Sequence, residues 1–548
     1  MSNASKKTAA VLGAGFSGMC AAIQLKKRFG IVADLFDRND DIGGTWLTNK
    51  YPGLWSKQYS GQEEILQYMQ NVAQKYDLYA QTKFQTEVIC TTWLEDIQKW
   101  KVDWRKTTDH SQLFTGLYDF LFIGIGPLNI PFTPEELKGF EGTVVHTAVG
   151  VQVIPELAKT AGHLYSYQRT PAWIMQRSQF DTPDFIKSLF VYLPFVLYIY
   201  RCYVFFKYEF LYLFLALHST IIGKLARSYL EGSMKKELER AGKPELAPLL
   251  IPPFAPGCKR IGVSSTYLSS LARDNVTLIP CAVKSVHGRT IVDVNGDENE
   301  VDILVLATGY NVKGFTGNLK VYGRNGIGLL DEWSKEFPKT YKTVNVHGFP
   351  NMFFMIGPSS GIGHSTVVSV MECQVDLAMQ CIKRIIDKNL SAVEPSAAAQ
   401  DAFVAKLIKD LKPTVWNTDC VSWYKNDGGQ VTGVWSGSII SFWWELRKSE
   451  PYNYIEFMLL KTKKNRTARI IICGSPPINF VSYTQQSIAS EKERSVKHTL
   501  FSNGYRMKVT LFDYRCFHRL SLTCLEKNRI SCDQPKAIKG FLKHPSKP

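Results

Sequence analysis

Residues 8–18 constrain the fold more than any other stretch of the chain. Thr8 to Leu12 is a short apolar run suited to a strand. Gly13-Ala14-Gly15-Phe16-Ser17-Gly18 follows without a spacer, and Met19 to Lys27 reads as a helix with small residues on its near face. A G-x-G-x-x-G set between a strand and a helix is the first turn of a dinucleotide-binding βαβ unit. Gly13 permits the tight turn, Gly15 lets the backbone approach a pyrophosphate, and Gly18 lets the helix pack close to the sheet. The helix start at Phe16 and Ser17 offers free N–H groups and the positive end of its dipole to phosphates. A second strand, Ile31 to Phe36, ends at Asp37, 24 residues past Gly13. That is where ribose hydroxyls need an acceptor; a strand-end turn residue is the other reading of Asp37.

A chain of 548 residues has room for two or three domains with large cores. Its formal net charge of +16 invites a nucleic-acid partner, but the charge is concentrated at one end. Residues 451–548 hold 18 Lys/Arg against 6 Asp/Glu, and no basic stripe with interleaved aromatics runs through the rest. Nucleic acid is therefore not an expected partner. Twelve cysteines form no C-x-x-C pair and no Cys/His cluster with zinc spacing, so no metal site is expected. The polar, lysine-bearing start, Met1 to Ala10, lacks the apolar core of a signal peptide. Buried structural thiols in a reducing, cytoplasmic setting are the expectation.

Past Asp37 the chain runs Asp41-Ile42-Gly43-Gly44-Thr45-Trp46 and then Tyr51-Pro52-Gly53. Further on come Thr86-Glu87-Val88, the apolar run Val301 to Leu306 closed by Ala307-Thr308-Gly309, and Asn351 to Ser360 with Gly357-Pro358. These segments, in this order over about residues 8–447, resemble the flavin monooxygenases, most closely those of Baeyer–Villiger type. The resemblance implies an α/β fold with two Rossmann-like dinucleotide-binding domains, one for FAD and one for NADP, and a helical insert. It implies FAD contacts from Gly13, Gly15, Phe16, Ser17, Gly18, Asp37, Gly44, Thr45, Trp46, Val88, Thr308 and Gly309. NADPH would reduce FAD, and a C4a-peroxyflavin formed with O2 would insert one oxygen atom into a small-molecule ketone.

Phe140-Glu141-Gly142-Thr143-Val144-Val145-His146 matches the first half of the family fingerprint F-x-G-x-x-x-H-x-x-x-W, but Gly150 stands where the final aromatic belongs. Oxidation at nitrogen or sulfur therefore stays open beside oxygen insertion. The family then places a strand and a second glycine loop for NADPH. Here Thr147-Ala148-Val149 leads directly into Gly150 to Ile154, which reads as the helix after such a loop. Gln168-Arg169-Thr170 resembles the family's 2′-phosphate site, where a guanidinium beside a hydroxyl suits the anion. Cys258-Lys259-Arg260 resembles its Lys-Arg pair: Lys259 would contact the same phosphate, and Arg260 would keep the peroxide anionic. By the same resemblance, His146 would time the domain movement. The acid that partners the family's arginine has no counterpart after Gly53, where Leu54-Trp55 follows.

These departures leave two further readings: an FAD-binding protein without monooxygenase activity, and an incorrectly assembled reading of an intact gene, suggested by the joins near Leu54 and Val149 and by the tail. The expected division is an FAD-binding domain from 1–146 and 300–447, a truncated NADP-binding domain with the helical insert at 147–299, and a basic tail without recognisable fold at 448–548. Within the insert, residues 189–200 are uninterrupted apolar residues, Arg201, Lys207 and Glu209 interrupt, and Phe210 to Leu217 resumes. Twelve helical residues span about 18 Å, short of the roughly 30 Å hydrocarbon core. A buried or interface helix leads, and peripheral membrane contact through 189–217 stays open.

Overall fold

The apolar run before the first glycine forms the central strand, Ala9–Leu12, and all four of its residues are buried. The computed structural model describes residues 7–48, 61–147, 150–177, 183–216, 218–312, 314–460 and 469–473. The readings placed on Tyr51-Pro52-Gly53, on the joins near Leu54 and Val149, and on the chain beyond 473 lie outside the described residues.

Ala9–Leu12 pairs in parallel with Asp34–Phe36 on one side and Phe120–Ile123 on the other. Thr82–Lys83 and Met352–Phe354 complete a five-stranded parallel sheet. Burial on both faces explains why the strand is apolar throughout instead of alternating. Ala9 and Val11 face a layer that includes the helices Phe16–Phe29 and Val367–Asp387, whereas Ala10 and Leu12 face a cluster with Trp100, Val102 and Val321. That second cluster belongs to a four-stranded sheet built on the antiparallel strands Thr86–Leu94, Lys99–Lys106 and Leu113–Tyr118. The first helix stops at Gly30, which takes the left-handed conformation and donates its N–H to the Leu25 and Lys26 carbonyls. One sheet thus draws on both ends of the α/β body, and the middle of the chain is inserted into it.

The middle builds smaller pieces. Thr143–His146 pairs in parallel with Ile303–Leu306, and Leu164–Tyr167 pairs in parallel with Val276–Ile279. Among the described residues no strand joins these two pairs. A doubly wound unit would carry a strand and a glycine turn ahead of the helix Gly150–Thr160. Here that helix begins four residues after His146, and Val144, Val145 and Ile303 are left about half exposed. This is the incomplete second Rossmann-like half that the sequence implies.

The insert comprises the helices Asp184–Tyr192, Pro194–Ala216 and Ile221–Arg240. The chain breaks at Leu193-Pro194, and the long helix continues through Arg201, Lys207 and Glu209 because those charges find separate surroundings. Among the described residues no helix is long and apolar enough to cross a membrane. Glu209 is buried; its carboxylate oxygens accept the N–H groups of Ile439 (3.0 Å) and Ile440 (3.1 Å), in the first turn of the helix Ile439–Leu446. A carboxylate at that helix end is favoured by the dipole. His364 Nε2 stands 3.5 Å from Glu209 Oε1. Burial alone would raise the Glu209 pKa, but His364, Ser438 and the two amides hold it below the usual carboxylate value.

Closer to the start of the same helix, Arg201 faces Glu372 of the helix Val367–Asp387. Burial pushes Glu372 up to about 6 from its ordinary 4.5, and Arg201 only partly opposes this. Between those two values the folded chain holds a proton that the unfolded chain has released, so this group's contribution to stability falls as pH rises through that window. Glu372→Gln is expected to leave stability unchanged below pH 4.5 and to raise it by up to about 2 kcal/mol at neutral pH. Thermal melts at the two pH values check this, and a difference from the wild type that does not depend on pH would contradict it.

Two expectations are corrected. The chain beyond 447 is not featureless from its start: Tyr454–Leu460 pairs antiparallel with Ala392–Pro395, burying Tyr454 and Phe457, and Arg469–Cys473 adds a third strand. Lys388 fastens the pairing with an ion pair to Glu456 (2.6 Å). The thiols are not all free either. Cys258 and Cys420 form a disulfide across 162 residues, with Cα atoms 6.4 Å apart. Among the described residues, Cys20, Cys90, Cys202, Cys281, Cys373 and Cys381 stay reduced.

Candidate active site

The glycine loop is a cradle that side chains would fill. Gly13 turns at φ 98° and donates its N–H to the Phe36 carbonyl (2.7 Å); a Cβ there would stand 2.5 Å from the Gly124 carbonyl oxygen. At Gly18 a Cβ would stand 1.8 Å from the Gly13 carbonyl oxygen, so the helix reaches the loop only because it lacks one. Gly15 lies against Gly44, and Gly43 donates its N–H to the Ala14 carbonyl (3.3 Å), which folds the Gly43-Gly44-Thr45-Trp46 segment over the loop. The helix that starts at Phe16 has no acid in its first turn and no side-chain cap. Its N–H groups stay available to an anion. A bare, closely approached backbone turn at a positive helix end fits the pyrophosphate of FAD.

Asp37 and Ser17 are tied into this turn. Asp37 is buried; one carboxylate oxygen accepts the Ala14 N–H (2.7 Å), and the other accepts the Asn39 backbone and side-chain N–H groups (both 2.9 Å). Burial raises its pKa in spite of those bonds. A carboxylate has about four acceptor positions, so Asp37 steadies the loop and the turn and keeps capacity for a ribose hydroxyl. Ser17 Oγ donates to the Gly124 carbonyl (3.2 Å), leaving its backbone as the part that faces a ligand. The carbonyl of Trp46, on the short helix Thr45–Thr48, accepts the Gln62 side-chain amide. Val88 lies on Thr86–Leu94 next to a bulge in its pairing.

Gly124-Ile125-Gly126 was not read as part of the site, yet it sits directly beside the first loop, with Gly126 at φ 73°. A second G-x-G after the apolar strand Phe120–Ile123 was the signal for it.

The A-T-G segment and His146 meet where the two halves of the fold join. Phe132 donates its N–H to the Gly309 carbonyl (3.0 Å), and Thr308 Oγ1 donates to the Phe132 carbonyl. His146 pairs in register with Leu306, its ring meets Tyr310 edge-on at 5.6 Å, and its Nε2 is buried without a hydrogen-bond partner.

Arg169 and Thr170 occupy the exposed turn after Leu164–Tyr167. Lys259, ninety residues later, is brought beside Arg169. Burial lowers the Lys259 pKa, and the positive charge of Arg169 lowers it further. Among the described residues neither cation forms an ion pair. Two like charges held together in this way favour an anion between them, and a phosphate satisfies both. The next residue, Arg260, faces a different neighbour: Tyr424, whose pKa is raised by burial and partly restored by the Arg260 charge. Tyr424 Oη lies 3.6 Å from the place a Cβ would take on Gly363. Arg260 is exposed and, among the described residues, forms no ion pair. The adjacent residues Lys259 and Arg260 thus face two different surroundings, one beside Arg169 and one beside Tyr424.

Residues 11–63 match the NAD(P)-binding Rossmann-like domain family. The chain is 30% identical over 487 residues to the FAD-binding monooxygenase ktnD of Aspergillus niger, covering 80% of this chain and 79% of that protein. It is 29% identical over 489 residues to a Baeyer-Villiger monooxygenase of Pseudomonas aeruginosa, covering 80% and 88%. Among solved structures it is similar to an oxidized steroid monooxygenase bound to NADP, with a TM-score of 0.70, 22% identity and coverage of 82% of this chain and 99% of that one. The open crystal structure of cyclohexanone monooxygenase gives a TM-score of 0.69 at 22% identity, with the same coverage.

Proposed function

The chain belongs to the FAD-binding monooxygenases of Baeyer–Villiger type, and from that premise we propose that it uses FAD and NADPH to insert one oxygen atom of O2 into a small-molecule ketone. The reading is carried by the Lys259-Arg260 step, which sets a phosphate-binding cation and a permanent positive charge side by side at the junction of the two nucleotide-binding halves. Bound FAD and NADPH supply the redox chemistry, hydride donation and the activation of O2. The protein supplies position and charge. Gly13, Gly15, Phe16, Ser17 and Gly18 hold the FAD pyrophosphate, with Asp37 on the ribose. Gly44, Thr45, Trp46, Val88, Thr308 and Gly309 enclose the rest of the cofactor. Arg169, Thr170 and Lys259 bind the NADPH 2′-phosphate. Arg260 stabilises negative charge on the oxygen to be transferred. His146, half-buried with its ring against Tyr310 at the junction, couples the two halves.

In this reading residues 1–146 and 300–447 form the FAD half, extended by Tyr454–Leu460, and 147–299 form the NADP half. The insert, through 189–217, makes peripheral contact with a membrane, a reading supported by the apolar outer side of its long helix.

Incubation with a panel of ketones under ¹⁸O₂ tests the reaction. One ¹⁸O atom in the ester or lactone is expected; NADPH consumed with every ketone recovered intact would remove oxygen insertion. Lys259→Gln and Arg169→Gln are each expected to weaken NADPH about 10- to 150-fold, the effect of one charge-assisted hydrogen bond, while NADH is unaffected. Equal losses for both coenzymes in steady-state kinetics would contradict the phosphate assignment. The second reading, FAD binding without oxygenation, is favoured by one observation: no strand bridges the Thr143–His146 and Leu164–Tyr167 pairs among the described residues.

A further inference from the structure

The long helix of the insert has an inner side that is fastened and an outer side that is bare. On the inner side, Glu209 bonds the Ile439 and Ile440 amides, Tyr212 Oη donates to the Ser436 carbonyl (2.8 Å), and Ala216 is fully buried. On the outer side Phe195, Ile199, Tyr203 and Phe206 follow one another at helical spacing, and Ile221 and Leu225 continue the pattern on the next helix. All six are more than half exposed. Contiguous large apolar side chains facing out on two consecutive helices mark a contact surface, not ordinary scatter.

The charge pattern says what the contact is. Between Pro194 and Leu230 the chain has four cations, Arg201, Lys207, Lys224 and Arg227, and a single acid, Glu209. The acid is buried, while Arg201, Lys207 and Lys224 are exposed. Up to Leu230 the face is therefore aromatic and aliphatic, flanked by Lys207 and Lys224 and free of exposed carboxylates, whereas the far end of the second helix carries Glu231 and the exposed Glu239. A second copy of the chain seated on it by a two-fold axis would bring lysines against lysines. An anionic bilayer surface takes both the apolar side chains and the cations, and a helix of this kind lies in the plane of the interface instead of spanning it.

We propose that the outer face of the Pro194–Ala216 helix and of the first turns of the next helix, Ile221 to Leu230, docks on the anionic surface of a phospholipid membrane. The inference rests on the peripheral contact proposed above and assigns it a face and a lipid class. It also gives a lipophilic ketone a route to the enzyme from the bilayer in which it dissolves. The test is flotation of the full-length, FAD-loaded protein with vesicles of phosphatidylcholine alone and of equal parts phosphatidylcholine and phosphatidylserine, with flavin absorbance confirming that each variant is folded. Binding is expected with the mixed vesicles, weak with the neutral ones and reversed by high salt. Lys207→Gln with Lys224→Gln is expected to lower the partition about 30-fold, and Ile199→Glu with Phe206→Glu to abolish it. Equal binding to both vesicle types would overturn the anionic assignment and leave the peripheral contact standing. No binding to either would overturn both. A dimer in light scattering that Ile199→Glu dissociates would give the face to a second copy and overturn the proposal. None of these variants touches the nucleotide sites, so NADPH oxidation reads the enzymatic assignment separately.

Discussion

Gly18→Ala is expected to yield a folded protein that has lost most of its flavin. The added methyl group would start 1.8 Å from the Gly13 carbonyl oxygen, which is backbone and cannot rotate away. Either the helix Phe16–Phe29 moves off the sheet or the glycine loop shifts, and both change the surface that receives the pyrophosphate. Overpacking of this kind costs about 2–3 kcal/mol, which as lost affinity is about 30- to 150-fold for FAD. Gly30→Ala is the control. Gly30 also has a positive φ, but nothing lies within 4 Å of its Cβ position, so it costs helix-cap stability and leaves the flavin in place. The ratio of flavin absorbance to protein absorbance after gel filtration reads both variants. A yellow Gly18→Ala protein with full flavin content would contradict the cradle.

Arg260→Ala is expected to separate NADPH oxidation from oxygen transfer. Arg260 lies beside Tyr424 and forms no ion pair among the described residues, so its charge is not spent on a structural partner. Removing one group that stabilises developing negative charge in an active site lowers turnover about 100- to 1,000-fold. Product formation should fall by that amount while flavin content and reduction by NADPH persist, so that NADPH is consumed without product. Arg260→Lys should recover part of the loss, since it keeps the charge and loses the planar donor set. Product per NADPH is the quantity to measure. Unchanged product yield in Arg260→Ala would remove the arginine from the chemistry.

The parts of this site that were legible in the sequence are the local ones. Gly13 to Gly18 could be read because strand, turn and helix are adjacent in sequence, and the tightest demand, Gly18 against the Gly13 carbonyl, acts within the loop itself. Gly43-Gly44 was recognised by resemblance, and its reason, contact with Gly15, appears only in three dimensions. Arg169 and Lys259 were assigned to one phosphate by analogy. Their mutual repulsion, which makes the case physical, depends on a turn and a loop ninety residues apart being folded together. Gly124-Ile125-Gly126 is equally local: it follows the apolar strand Phe120–Ile123 as Gly13 follows Ala9–Leu12. The Cys258–Cys420 disulfide could not have been read, because neither spacing nor motif links residues 162 apart. The strand Tyr454–Leu460 was hidden for the same reason: its partner, Ala392–Pro395, lies some sixty residues earlier. Glu209 interrupts an apolar run in the sequence and in the fold is the carboxylate that fastens that helix to the start of Ile439–Leu446.

The proposed NADP half departs most from a complete dinucleotide-binding unit. In the proposed reading it keeps Arg169 and Lys259 for the 2′-phosphate, the helix Gly150–Thr160 and His146, while among the described residues no further strand and glycine turn lead into that helix. The decisive measurement is anaerobic stopped-flow mixing of the purified, FAD-loaded protein with NADPH, followed by flavin absorbance. Rapid bleaching of the bound flavin by NADPH is expected, with NADH much less effective because Arg169 and Lys259 then have no phosphate to bind. Flavin that is tightly bound but stays oxidised in the presence of NADPH would contradict it, and would leave an FAD-binding protein without the reaction.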